Sequence, residues 1–247
     1  MTLTTDFPLL DTHTPAEVAA VAEAVREAQD RQVPIYPIGG GTSLDFGLPP
    51  TIEGRGLVLT GLSQVVDYTP RDMTIVVEPG LRVAELATTL AGENQHLPID
   101  APRAEDATIG GLVATDWSGP RRYGYGTLRD YLIGIHAVDG RGVPFKGGGR
   151  VGKNVAGYDF CKLLTGSLAT LGVVTQLTFK VKPRPEYVGV VLADAATKEI
   201  AEKLLAALVD FPAPPTAIDL LVGPPWREHL QFGAVFGTLA VRLEGTQ

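Results

Sequence analysis

Cysteine is almost absent: Cys161 stands alone in a chain of 247 residues. An internal disulfide framework is therefore excluded, and a single thiol suits a reducing, cytoplasmic compartment. A basic excess is missing as well, since 21 Lys and Arg face 28 Asp and Glu for a net charge of −7. That balance argues against a polyanion-binding surface, so nucleic acid and anionic membrane are poor partners. No apolar run approaches the ~18 residues of a membrane span. The N-terminus lacks the basic and apolar regions of a signal peptide. Histidine is scarce: His13, His96, His136 and His229 are dispersed and read as surface or core residues, so none is assigned as a base.

Glycine and proline are plentiful, at 29 and 19 residues, and imply many turns between short elements. Apolar content of 45% with 20% charge is ordinary for a globular protein of one large or two small domains. Thr14-Pro15-Ala16-Glu17 reads as a capping box opening a helix that reaches about Gln32. Its buried stripe is Val18, Val21, Ala22, Val25 and Ala28. Short β runs follow at 57–60, 64–68 and 74–77, then a helix with Val83, Leu86, Ala87 and Leu90 on one face. Further strands are predicted at 133–138, 142–145 and 172–181. Pro183 and Pro185 cannot donate to a sheet ladder and mark a boundary. Beyond it come a strand at 188–192, a helix at 197–209 and strands at 217–221 and 238–243. The last unit lacks a closing helix after its final strand, as in a fragment or a naturally short domain. The fold class is α+β, with residues 10–183 as one domain and 184–247 as a partial second one.

Residues 35–47, IYPIGGGTSLDFG, are the most informative stretch. A β-rich run ends in Gly39, Gly40 and Gly41, then offers the hydroxyls of Thr42 and Ser43. Glycine permits positive φ and a close ligand approach, and successive free N–H groups form a concavity for phosphate oxygens. A ligand-free glycine turn satisfies the triplet equally well. Thr108-Ile109-Gly110-Gly111 repeats this chemistry in the segment from Pro102 to Gly126, and Thr115, Ser118 and Gly119 continue it. Gly147 to Asn154 imitates a P-loop, but Asn154 replaces the Mg²⁺-binding hydroxyl and no Walker B strand follows, which argues against an ATPase. Finally, residues 166–175, GSLATLGVVT, run a glycine turn into a long strand.

In this order, IGGGTSL, TIGG, KNVAGYDFCKLLTGS and TLGVVT resemble the FAD-binding domain of the vanillyl-alcohol oxidase/p-cresol methylhydroxylase class over about residues 10–183. Residues 118–134 are most similar to the FAD-binding subunits of bacterial glycolate oxidases. The resemblance implies two α+β subdomains with FAD extended between them and a cap domain after them. It places the pyrophosphate on Gly39–Ser43 beside Ile38. It extends the contact through Pro102, Thr108–Gly111, Thr115, Ser118 and Gly119. It sets Gly172, Val173 and Val174 towards the flavin or adenine portion. On this reading a valine at position 40 blocks the pyrophosphate and leaves the fold intact.

Covalent members of the class anchor the flavin through a histidine near the first loop, which this chain lacks, so FAD is expected to be non-covalent. Ala169 stands where the class commonly has glycine, and Leu168 where many members have glutamate. The implied activity is oxidation of a 2-hydroxy acid to the 2-oxo acid, which needs a base and a carboxylate-binding cation beside the flavin. Arg121 and Arg122 suit a carboxylate, or form a solvated loop pair; no catalytic residue is assigned. The implied partners are a larger homologous flavoprotein subunit and an iron–sulfur subunit, since one cysteine cannot ligate a cluster here. Any contact with the inner membrane would then run through those partners. The alternative is a non-catalytic flavin-binding or assembly subunit.

Overall fold

A computed structural model describes residues 7–149, 158–226 and 236–245. These fall into two compact units. One comprises Met1–Leu97, Ala101–Trp117 and Thr127–Pro183; the other comprises Pro98–Asp100, Ser118–Gly126 and Arg184–Gln247.

The first unit opens with β1 (Leu9–His13), α1 (Val18–Asp30), β2 (Ile35–Ile38) and β3 (Gly54–Val58). The strands form a small parallel sheet in the order β1-β3-β2. Parallel neighbours need long crossovers. Helix α1 supplies one of them, and residues 39–53 supply the other without any regular element. Helix α1 starts three residues later than the capping box predicts. Its N-cap is Glu17, with no side-chain cap. Pro15 is buried, with its carbonyl 2.4 Å from where a Cβ on Gly61 would stand, so residues 14–17 are still turning. Val18 is accordingly exposed while Ala24 joins the buried stripe. The stripe packs with Leu57, Leu59 and Leu62 against Val138 and Val173 of the larger sheet.

That larger sheet is antiparallel, with order β4-β5-β9-β7-β8. Its members are β4 (Val65–Thr69), β5 (Thr74–Val77), β7 (Leu132–Val138), β8 (Pro144–Gly148) and β9 (Val173–Lys180). Alternation on β9 buries Val173, Thr175 and Leu177, and Phe179 at its end is fully buried. The chain reaches these strands through α2 (Val83–Ala91), whose Val83, Leu86 and Leu90 are buried while Ala87 is exposed. The β run expected at 57–60 ends at Val58, and Leu59–Gly61 forms a 3₁₀ turn. Strand β8 starts two residues later than the run predicted from Gly142, because Asp139 closes a tight turn by accepting from the N–H groups of Arg141 and Val143. The two-residue strands β6 (Gln95–His96) and β10 (Lys182–Pro183) pair antiparallel. Pro183 thus occupies a strand edge, where its missing donor does no harm.

Three short helices complete this unit: α3 (Ile109–Thr115), α5 (Leu128–Tyr131) and α6 (Phe160–Leu164). Thr127 and Asp130 form a capping box on α5, and Asp159 caps α6 through the Lys162 N–H at 3.1 Å. The KNVAG part of the third motif and the end of the P-loop imitation, Gly152–Asn154, lie outside the described residues.

The second unit carries β11 (Tyr187–Ala195), α7 (Lys198–Val209), β12 (Ala217–Leu221) and β13 (Gly237–Gly245), in the sheet order β11-β13-β12. Thr197 caps α7, as its position before the helical run suggests. A four-residue helix, α4 (Arg122–Tyr125), lies against β12 and is tied to it by the Gly124 N–H donating to the Thr216 carbonyl at 3.1 Å. No helix among the described residues is long and apolar enough to cross a membrane.

Candidate functional site

The crossover from β2 to β3 builds one wall of a cleft of about 290 Å³. Gly40, Gly41, Thr42 and Ser43 are half-buried, yet no hydrogen bond among the described residues uses their N–H groups. Half-buried donors left open in a row form a ready anion site. Gly41 takes φ +71°, which glycine alone adopts readily. Gly39 and Gly40 also meet a packing need that the sequence reading did not include. A Cβ on Gly40 would lie 1.8 Å from the Asp106 carbonyl oxygen, and one on Gly39 would lie 2.2 Å from Thr108 Oγ1. The loop is pressed against segment 106–108, so a valine at position 40 strikes backbone and disturbs the fold before it meets any ligand.

The opposite wall is α3 with the turn that precedes β9. Thr108 caps α3 by accepting from the Gly111 N–H at 3.3 Å. Gly110 packs so closely on Pro79 that a Cβ there would be 2.6 Å from the proline ring. The turn is fastened to the C-terminal end of α3: Gly166 N–H donates to Val113 and Leu168 N–H to Ala114, at 2.9 and 2.8 Å. Leu168 and Ala169 then both adopt left-handed backbone, with φ +51° and +57°. Non-glycine residues held there store about 1 kcal/mol or more each. Ala169 and Pro37 line this cleft, a smaller cavity of about 50 Å³ and a third of about 280 Å³, so the three meet at these residues.

The sequence-predicted residues divide among these spaces. Gly39–Ser43, Gly111 and Thr115 line the main cleft. Thr108, Gly110 and Val174 line the smallest cavity, and Gly172 and Val173 the third. Ile38 and Ile109 are buried core residues. Pro102 is exposed in a turn and lines none of these cavities. Ser118 and Gly119 belong to the second unit. There the Ser118 hydroxyl is buried without a hydrogen-bond partner among the described residues, and Gly119 makes room for Asp100, 2.3 Å from a would-be Cβ. The apolar part of the main cleft, from Tyr36, Phe46, Leu48 and Ala114, escaped sequence reading. The Tyr36-Pro37 pair ahead of the glycines was its only local sign. Tyr36 stacks edge-on against Phe7 at 5.2 Å and donates to the Ile52 carbonyl at 2.5 Å, so its hydroxyl is committed.

Several charged side chains of each unit are engaged or shifted. Arg121 holds Asp100 through Nε at 2.6 Å and its backbone N–H at 2.8 Å, and donates further to the Ile99 carbonyl. Of the predicted carboxylate-binding pair, Arg121 is thus occupied, and Arg122 alone stands exposed. Against the effect of burial, the Tyr125 hydroxyl and Arg242 hold the Glu244 carboxyl below the usual range. Burial pushes the Cys161 thiol up to about 11, so it is protonated and inert at neutral pH. Burial, then the Lys146 charge, lower the His136 pKa. Asp116, the left-handed C-cap of α3, has a buried Oδ1 without a hydrogen-bond partner among the described residues. Burial raises its pKa, Arg129 opposes that shift and Asp130 adds to it. The described residues contain no cluster of His, Cys, Asp and Glu able to hold a metal ion.

Residues 12–147 match the FAD binding domain family, more than half of the chain. The chain belongs to that family, and FAD is its cofactor. Among curated relatives, glycolate oxidase subunit GlcD of Bacillus subtilis (strain 168) is 32% identical over 213 residues, 83% of this chain and 45% of the relative. Glycolate oxidase subunit GlcE of Escherichia coli (strain K12) is 36% identical over 167 residues, 67% of this chain and 47% of the relative. The mitochondrial D-lactate dehydrogenase [cytochrome] of Arabidopsis thaliana is 31% identical over 196 residues, 79% of this chain and 34% of the relative. A solved alkyldihydroxyacetonephosphate synthase shares the fold with a TM-score of 0.80 at 22% identity, over 96% of this chain and 47% of that one. The chain spans less than half the length of each of these proteins. Its fold is the two-subdomain FAD-binding fold of p-cresol methylhydroxylase type.

Two outcomes follow from this geometry. Ala169→Gly removes a left-handed alanine and is expected to stabilise the protein by about 0.5–1 kcal/mol in urea unfolding; a loss of stability would show that the turn is not strained. Asp116→Asn removes a carboxylate whose native pKa exceeds its unfolded one. Stability should therefore rise at pH 7, where the buried charge is fully formed, and the gain should vanish once both states are protonated. Thermal melts from pH 7 down to pH 3 read this, and a gain that persists unchanged at pH 3 would contradict it.

Proposed function

We propose that this chain binds FAD non-covalently in the main cleft and serves in oxidation of a 2-hydroxy acid to the 2-oxo acid. The row of open N–H groups at Gly40–Ser43 carries this reading. These groups, with the hydroxyls of Thr42 and Ser43, would take the pyrophosphate oxygens. The apolar walls from Tyr36, Phe46 and Leu48 suit a flat ring, and the cavity at Gly172 and Val173 would receive an end of the extended molecule. The fit is supported by the size of the joined spaces and by the lack of charged side chains among the described residues that line the main cleft. Neither histidine nor cysteine is among the described residues that line the cleft, and Cys161 is buried and protonated, which favours a non-covalent cofactor.

When bound, FAD supplies a two-electron acceptor for the hydride leaving the hydroxyl-bearing carbon. The chain must then hold that ring, keep water from it and leave the hydroxyl proton to a base. Residues 10–183 are read as the FAD-binding domain and 184–247 as part of the domain that covers the substrate. The glycolate oxidase subunits among the relatives support a place in a similar multi-subunit complex; the partners proposed for it are a homologous flavoprotein subunit and an iron–sulfur subunit. Attachment to the inner membrane would follow only through them.

A second reading rests on a specific observation. Apart from Tyr36, whose hydroxyl is engaged, the described residues that line the cleft include no titratable side chain. A subunit that binds FAD while its partner supplies the base fits that lining equally. Mixing the FAD-loaded chain anaerobically with glycolate or D-lactate separates the two. Bleaching of the flavin band supports catalysis by this chain; bleaching only after the partner is added supports the second reading. Flavin that stays with the acid-precipitated protein would contradict non-covalent binding, and failure to retain FAD would contradict both.

A further inference from the structure

Among the described residues, Phe46, Leu48, Leu168 and Thr170 both line the main cleft and stand open to solvent. A side chain that faces a cavity and the solvent at once marks the cavity's mouth. Leu48 is 96% exposed, Phe46 50% and Leu168 42%. Exposed apolar residues scattered singly are ordinary, but three around one opening form an apolar rim.

The two walls of the cleft meet at this rim. The crossover loop turns at Gly47, with φ +100°, and a Cβ there would lie 3.2 Å from Leu168 Cδ1. The Leu168 side chain therefore bridges from the turn before β9 to the tip of the loop. The two partners differ in how firmly they are held. The Leu168 N–H donates to the Ala114 carbonyl at 2.8 Å, which ties that residue to α3. Residues 44–51 make one hydrogen bond among the described residues, from the Phe46 N–H to the Ser43 carbonyl at 3.2 Å. Both ends of this stretch are anchored, by Gly39 and Gly40 against segment 106–108 and by the Tyr36 hydroxyl donating to the Ile52 carbonyl. A segment with few hydrogen bonds and little buried surface opens locally at low free-energy cost.

We propose that residues 44–51 are a gate on the main cleft, latched by the apolar contact of Gly47 with Leu168, which must part for FAD to enter or leave. This rests on the reading that FAD occupies that cleft. The latch sets how fast the cofactor exchanges, and the walls set how tightly it is held. A gate that opens equally well over a filled and an empty cleft has no differential affinity for the ligand. Weakening it multiplies the entry and exit rates by the same factor and leaves the dissociation constant in place. Loss of an ordinary wall contact, by contrast, speeds exit alone.

Stopped-flow measurement of FAD uptake and release by the full chain, read by flavin fluorescence, tests this. Leu168→Asn and Leu168→Gly both remove the apolar latch, and both residues tolerate the left-handed backbone at that position. Each should speed entry and exit together by roughly tenfold, with the dissociation constant unchanged within about threefold. Leu10→Asn changes a leucine of β1 that is also exposed and lines none of the three cavities, and should alter neither rate. Faster exit without faster entry in the Leu168 variants, or rates equal to those of the wild type, overturns the gate and leaves the cleft assignment standing. A wild-type chain that takes up no FAD overturns that assignment and the gate with it.

Discussion

The arrangement depends on one close approach: the backbone of Gly39 and Gly40 lies against segment 106–108 with no room for a Cβ at either position. Segment 106–108 belongs to the larger-sheet side, because Arg82 bridges to Thr108 and donates to the carbonyls of Glu105 and Asp106 at 3.0 and 2.8 Å. The crossover loop belongs to the small parallel sheet. Their contact brings the open N–H groups of residues 40–43 opposite α3 at a fixed distance. A single methyl group at position 40 would separate the walls of the cleft. The glycines therefore let protein meet protein, and the position of the open N–H groups is a consequence of that meeting.

Topology explains why the open donors are found there. Parallel neighbours cannot be joined by a tight turn, so the passage from β2 to β3 must be long. A long irregular crossover leaves backbone donors without ladder partners. On the facing wall, the backbone bonds from Gly166 and Leu168 to α3 hold Leu168 and Ala169 in left-handed geometry. Strain of this kind persists only where its surroundings over-determine it. Both walls of the cleft thus depart from the regular ladders of the sheets behind them.

Much of this was legible in the sequence. Hydrophobic periodicity located α1, α2 and α7 and the strands at 74–77 and 217–221, because each has a clear buried stripe or lies between firm turn residues. The order of the glycine segments indicated the family, and the main cleft is lined by Gly39–Ser43, Gly111 and Thr115. The misreadings share a cause, which is tertiary packing overriding local grammar. Thr14 looks like a cap, but burial of Pro15 delays the helix. Gly40 looks replaceable by valine without harm to the fold, but its missing side chain makes way for Asp106. Arg121 looks like a free cation, but Asp100, distant in sequence, occupies it. The left-handed pair at Leu168 and Ala169 left one trace, the class's usual glycine at position 169, since neither residue type present favours that backbone.

The central claim is that the N–H groups of Gly40–Ser43 are the anion-binding donors of the cleft. Amide hydrogen exchange resolved to single residues, with and without FAD, tests it most directly. Strong slowing of exchange at these four positions on FAD addition, beyond that of Leu48 at the loop tip, is the predicted result. Tight FAD binding with those amides exchanging as fast as before would contradict the account.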